Sequence, residues 1–190
     1  LKIALFGGTF DPIHTAHLTI ARRAALDFAL DRVLFVPAAR PPHKSGLTHT
    51  SYEHRYRMVE LACQGEPLFE ASRLEEGEQY SYSIETIERV RSWLETHEEL
   101  YFLIGADAFA EIRTWRRWRE VVAFVEFIVV SRPGHRYEVP EGARVHRLDG
   151  LDLAVSSSEI RRQLAAGDDR VEVPPAVLAY IRQHGLYRER

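Results

Sequence analysis

KIALFGGTFDPIHTAHL, residues 2–18, decides the fold. Residues 2–6 form a short, continuously apolar run ending on Gly7-Gly8, the pattern of a buried strand that feeds a turn. From His14 to Leu30 the period changes. Leu18, Ala21, Ala25 and Phe28 recur at spacings of three and four, with Arg22, Arg23 and Asp27 between them, which predicts an amphipathic helix. Residues 32–36 (RVLFV) are a second apolar run, closed by Pro37. Strand, helix and strand in so short a span make a βαβ unit, with parallel strands and a right-handed crossover expected.

The alternation continues downstream. Residues 41–50 are polar, contain two prolines and a glycine, and read as a loop. Ser51 is placed to cap a helix running to about Cys63, with Tyr52, Tyr56, Val59 and Cys63 on one face. Residues 68–71 suggest a short strand. Ser83 is expected to cap the next helix, whose buried stripe is Ile84, Ile87, Val90, Arg91 and Leu94. Residues 100–104 (LYFLI), 127–130 (FIVV) and 143–148 complete the strands. Ser156 with Glu159 three positions on has the form of a capping box for a helix to Ala166, stopped by Gly167. Pro175 and Gly185 bracket a C-terminal helix. The expected fold is a three-layer α/β domain over residues 1–190. Its mainly parallel sheet is doubly wound (Rossmann-like), with helices on both faces and a small C-terminal helical part.

Composition narrows the function classes. A chain of 190 residues can bury a core without disulfide or metal staples, and its single cysteine, Cys63, cannot form an intrachain disulfide. A net charge of −3 argues against a polyelectrolyte binder of nucleic acid. The longest apolar runs are far too short to span a bilayer, and residues 1–6 run into Gly-Gly without a signal-peptide cleavage pattern. The first residue is Leu1, so a trimmed N-terminus is expected, as is a cytoplasmic location.

In such folds ligands bind beyond the carboxyl ends of the strands, so the residues just past each strand matter most. After the first come Gly7, Gly8, Thr9, Phe10, His14 and His17; after the second, Arg40, His43 and Lys44. After the later strands come Gly105, Asp107 and Arg132, and Ser157, Ser158 and Arg161 open the late helix. Glycines, imidazoles, hydroxyls and cations on one rim suit a polyphosphate. The glycines allow close backbone approach. His14 and His17, three apart in a first helical turn, face one way at the end of a helix that attracts anions. Neither the G-x-x-x-x-G-K-[ST] loop nor the G-x-G-x-x-G fingerprint is present. Each feature also has a plainer reading. Gly-Gly after a strand is commonly a turn, H-x-x-H can be half a zinc site, and three serines can be only a helix cap. Trp115 and Trp118 can be core anchors, and Arg113, Arg116, Arg117 and Arg119 a solvated helix face or a weak nucleic-acid patch.

Gly7-Gly8-Thr9-Phe10-Asp11-Pro12-Ile13-His14 with His17, joined to Val155-Ser156-Ser157-Ser158-Glu159-Ile160-Arg161, resembles the paired signatures of the nucleotidylyltransferase superfamily. Within it, Pro41-Pro42-His43-Lys44, Ser81-Tyr82-Ser83, Ile104-Gly105-Ala106-Asp107, Trp115, Ser131-Arg132-Pro133-Gly134, and Tyr180-Ile181 to Leu186-Tyr187 resemble the bacterial nicotinate-mononucleotide adenylyltransferases over essentially the whole chain. Ala16 stands where a Gly is usual, and Ser83 and Ser158 where Thr is usual. The resemblance implies adenylyl transfer from ATP, with Mg2+, to nicotinate mononucleotide. It implies catalytic roles for His14, His17 and Arg161. It implies ATP contacts at Gly7, Gly8, Thr9, Phe10, Gly105, Asp107, Arg132, Ser157 and Ser158, and mononucleotide contacts at His43, Lys44, Tyr82, Ser83 and Trp115. It implies neither a resident protein-bound metal nor a nucleic-acid or membrane partner, and leaves a homo-oligomer open. The alternatives are phosphopantetheine adenylyl transfer, a non-catalytic nucleotide sensor on the same fold, and an RNA-binding module using the arginine-rich segment.

Overall fold

Six strands form one parallel sheet in the order β3-β2-β1-β4-β5-β6. The computed structural model describes residues 1–39, 50–77, 82–149, 151 and 154–188. The strands are β1 (Lys2–Gly8), β2 (Arg32–Pro37), β3 (Phe69–Ala71), β4 (Glu99–Gly105), β5 (Glu126–Val130) and β6 (Arg144–Leu148). The helices are α1 (Thr15–Asp27), α2 (Tyr52–Cys63), α3 (Ser83–Arg91), α4 (Ala106–Ala110), α5 (Trp118–Phe124), α6 (Ser157–Ala165) and α7 (Pro175–His184). Every described pairing is parallel, from Ile3 opposite Arg32 to Val130 opposite Leu148. Strand order reverses between β1 and β4, which are neighbours, so the crevice at their carboxyl ends is the switch point where such sheets bind ligands.

Alternation along the strands divides the core in two. Ala4, Phe6, Val33, Phe35, Leu103 and Ile128 face α1, α2, α6 and α7. Ile3, Leu5, Leu34, Val36, Phe102 and Phe127 face α3, α4 and α5. A strand buried on both faces must be apolar throughout, which is why β1, β2 and β4 read as unbroken apolar runs. The doubly wound expectation holds, and "mainly parallel" becomes wholly parallel among the described strands.

Several local expectations shift. His14 is the N-cap of α1 rather than its first turn. Tyr82, not Ser83, is the N-cap of α3, and Arg91 leaves the predicted stripe to lay its guanidinium over the Phe124 ring, 3.8 Å from the centroid. Ser51 and Ser156 do cap, accepting the amides of His54 and Glu159. Gly185, at φ +60°, closes α7 in the left-handed region that a side chain disfavours. The arginine-rich segment is not one helix face. Arg113 lies in a 3-10 turn, Arg116 follows it, Arg117 is the left-handed N-cap of α5 and Arg119 lies within α5, with the guanidiniums of Arg113 and Arg119 both over the Trp118 ring. Arg113 pairs with Glu138 and Arg117 with Glu88.

Candidate functional site

Two cavities open side by side at the carboxyl end of the sheet and share Gly105. The larger, about 660 Å3, lies over the switch point: the ends of β1 (Leu5 to Gly8, then Thr9) and β4 (Phe102 to Gly105) form its floor. Tyr82, Ser83 and Thr86 of the α3 start, with Trp115 and Arg116, form its walls. Trp115 is braced edge-on against Phe102, centroids 5.7 Å apart, and Arg116 lies over the Tyr82 ring at 4.8 Å. The smaller cavity, about 270 Å3, is lined by Asp107, Ser131, Arg132 and His135 with Ile20, Val130 and Leu151. Ser131 is held by its hydroxyl donating to Asp149 at 2.6 Å, which ties the ends of β5 and β6 together.

Gly7, Gly8 and Thr9, expected to serve ATP, thus line the same cavity as Tyr82, Ser83 and Trp115, and Gly105 serves both cavities. At Gly8 a β-carbon would come within 3.1 Å of the Phe10 ring, so the glycine makes room for a neighbouring side chain rather than only for a ligand. Phe10 itself is buried, packing on Phe6 and Phe35 from a backbone at φ +52°. Phe10 lines neither cavity. His43 and Lys44 lie outside the described residues.

A third group of residues gathers where the loop after β1 meets the start of α6. The imidazoles of His14 and His17 stack, ring centroids 3.7 Å apart. The His14 backbone N–H donates to His17 Nδ1 at 3.1 Å. That bond makes Nδ1 an acceptor, so the neutral ring carries its proton on Nε2. Burial lowers the His14 pKa to about 4; burial and then the charge of His14 hold His17 well below the usual histidine range. Both are neutral at physiological pH. The buried His14 Nδ1 meets no hydrogen-bond partner among the described residues.

From the other side, Ser157 Oγ donates to the Pro12 carbonyl at 2.9 Å and Arg161 Nη1 to the Asp11 carbonyl at 2.8 Å. Segments some 150 residues apart in sequence therefore meet at one corner. The two serines divide their work. The Ser157 proton is committed to Pro12, whereas Ser158 Oγ accepts from Arg161 Nη2 at 3.2 Å and keeps its own proton for another acceptor. Tyr187, beyond α7, donates to Asp11 Oδ1 at 2.6 Å. Burial, then Asp11, pushes its phenol far up, so it remains a donor. The Tyr187 contact to Asp11, and the places of Arg116 and Glu75 in the lining of the larger cavity, go beyond what the motifs indicate; Thr86 donates to Glu75 at 2.8 Å.

The cytidylyltransferase-like family model matches residues 5–163, spanning both sides of this corner. The chain belongs to that family. A Solibacter usitatus protein named "Probable nicotinate-nucleotide adenylyltransferase" is 63% identical, covering 98% of this chain and 100% of that one. A Thermus thermophilus protein of the same name is 43% identical over 99% and 100%. The chain is thus one of the nicotinate-nucleotide adenylyltransferases within the family. The fold is also that of a Plasmodium falciparum nicotinic acid mononucleotide adenylyltransferase solved with NaAD: TM-score 0.78, 21% identity, covering 98% of this chain and 97% of that one. No helix among the described residues is long and apolar enough to cross a membrane.

Proposed function

We propose that the chain transfers the adenylyl group of ATP to the phosphate of nicotinate mononucleotide, giving nicotinate adenine dinucleotide and pyrophosphate. The observation that carries this is the pair of adjoining cavities over the switch point, one walled by an indole, a tyrosine and the start of a helix, the other by an aspartate and an arginine. A reaction that joins two nucleotides needs two neighbouring beds and a phosphate corner, and no nucleophilic side chain.

The mononucleotide phosphate is already ionised at neutral pH, so no general base is required. Its oxygen attacks the α-phosphorus, and the bond from that phosphorus to the bridging oxygen of pyrophosphate breaks. Catalysis is then alignment of the two substrates and stabilisation of charge on the α-phosphoryl oxygens and the leaving group. In this proposal His17 Nε2–H donates to the α-phosphoryl group, its tautomer fixed in advance by the His14 amide. His14 and Arg161 hold the triphosphate, with Ser158 and the α6 amides on its outer phosphates; Ser157 contributes through its backbone while its hydroxyl holds the loop. Asp107 and Arg132 line the ATP bed. Trp115 offers a face to the pyridinium ring, with Tyr82 and Ser83 beside its carboxylate. His43 and Lys44 are assigned to the mononucleotide phosphate.

Mg2+ enters with ATP, bound mainly by phosphate oxygens as is usual for this ion. The one acidic and histidine cluster of ligating geometry among the described residues, Glu95, His97 and Glu98, precedes β4 and so lies at the opposite end of the sheet. Cys63 is buried, its thiol pushed up to about 12 by burial, an inert packing residue suited to the cytoplasm. Pyrophosphate release with MgATP, offering nicotinate mononucleotide, nicotinamide mononucleotide and phosphopantetheine in parallel, tests the reading. Turnover is expected with the first, and turnover with phosphopantetheine alone would replace it.

A further inference from the structure

The β1–β2 ladder ends where Gly8 faces Pro37, with one last backbone bond from the Ala38 amide to the Gly8 carbonyl at 2.9 Å. Beyond it the chains part, and Arg55 of α2, fully buried, fills the fork. Its Nη1 donates to the carbonyls of Thr9 at 2.9 Å and Ala38 at 2.6 Å, its Nη2 to Ala39 at 3.3 Å and its Nε to Thr50 at 3.3 Å. One guanidinium thereby binds the segment leaving β1 to the segment leaving β2 and to the start of α2.

We propose that Arg55 is a positioning residue for the transfer step: by fixing Thr9 it sets the segment that runs to His14 and His17, in concert with Tyr187, which grips Asp11 of the same segment. The inference rests on the adenylyl-transfer reading above. Thr9 lines the larger cavity, and Asp11 and Pro12 receive Arg161 and Ser157, so the segment is pinned at 9, 11 and 12 by groups from α2, α6 and the chain beyond α7. Asp11 is the acidic neighbour that most offsets the desolvation of Arg55. An apolar side chain of similar volume would avoid that desolvation. It could not, however, hold carbonyls from two diverging loops in one plane, and neither can lysine, which lacks the rigid fork.

The test compares Arg55→Lys, Tyr187→Phe and the double variant by pyrophosphate release, melting temperature and amide exchange at residues 9–11. Arg55→Lys is expected to lower kcat by roughly 10- to 100-fold, the scale of a small misplacement of reacting groups. KM for nicotinate mononucleotide should stay within about threefold, because Thr9 supplies only one edge of the larger cavity and its Trp115, Tyr82 and Ser83 walls are carried by other segments. Tyr187→Phe should cost less, and the double variant less than the product of the single losses, since both act on one segment. Amide exchange at residues 9–11 should accelerate in both single variants. A wild-type kcat in Arg55→Lys with only a lower melting temperature would make Arg55 a fold-stabilising cap and overturn the proposal; losses that simply multiply would remove the concerted part. Should Arg55→Lys not fold, Tyr187→Phe decides, an unchanged kcat overturning the proposal. If the wild-type protein itself shows no turnover, the functional reading has failed instead, and unchanged exchange at residues 9–11 would still sink the positioning claim alone.

Discussion

The corner proposed to hold phosphate, where the loop after β1 meets α6, and the larger cavity are built on different principles. At the corner, polar groups are committed before any ligand arrives: His17 to the His14 amide, Ser157 to Pro12, Arg161 to Asp11 and Ser158. In the larger cavity the walls are mostly apolar and aromatic, and Trp115 is set by packing on Phe102. Donors fixed in advance lower the barrier to charge development, because no reorganisation is needed as the reaction proceeds. An aromatic wall instead contributes binding area, which acts about equally on ground and transition states. Loss of the corner donor aimed at the reacting α-phosphoryl group should therefore appear in kcat, and damage to the wall in KM.

The largest break is expected at His17. His17→Ala removes the donor whose tautomer the His14 amide fixes, and should lower kcat by about 10²- to 10³-fold, as loss of an oxyanion donor does. The KM for ATP should move far less, since the contacts proposed for His14, Arg161 and the α6 start are kept. Steady-state kinetics with both substrates varied would show it, and a preserved kcat would take His17 out of the chemistry.

The corner's burial has a cost in acid. His14 titrates near 6.5 when unfolded and near 4 when folded, so between these values the unfolded chain binds more protons. Stability is therefore whole above about pH 6.5 and falls as pH drops toward 4, by on the order of 3 kcal/mol for His14 alone. His17, also depressed, adds to the fall. Melting temperatures between about pH 7 and pH 4.5 should decline in the wild-type protein and decline less in His14→Gln, even though that variant loses activity. A flat wild-type profile over this window would mean that the imidazoles are not held neutral.

The share of this that was legible beforehand is set by the reach of periodicity. Apolar runs and three-four spacing find elements that bury one face, so the strands, α1, α2, α3, α6 and α7 stood out, and the glycines and capping serines marked their ends. The stretch between β4 and β5 did not. Its elements are a five-residue helix, a 3-10 turn and a seven-residue helix entered through a left-handed arginine, each too short to establish a period. That is why the arginines there read as one face. The site's motif residues were visible because their types and order are unusual, yet the roles of Arg55 and Tyr187 were not. An arginine in a helix reads as solvent-exposed, and only the diverging strand ends show why this one is buried. The division of labour between Ser157 and Ser158 was equally invisible, being a matter of which proton is already spent.

On the wall side, Trp115→Ala should raise KM for the mononucleotide about tenfold, the scale of a desolvated cation–π contact plus lost area, with kcat changed less. The smallest effect, and the sharpest for the comparison, lies within the corner itself. Ser157 and Ser158 are adjacent hydroxyls with opposite duties, one donating inward to Pro12 and the other accepting from Arg161 with its proton outward. Ser157→Ala should therefore lower stability by about 1 kcal/mol, the net worth of one hydrogen bond, read as a fall in melting temperature. Its KM for ATP should be nearly unchanged. Ser158→Ala should leave the melting temperature alone and weaken ATP by a few-fold, the scale of one partly exposed hydrogen bond of about 1 kcal/mol. Reversal of the two outcomes would mean that the Ser157 proton turns from Pro12 to the phosphates when ATP binds, and the corner would then be assembled by its substrate rather than ahead of it.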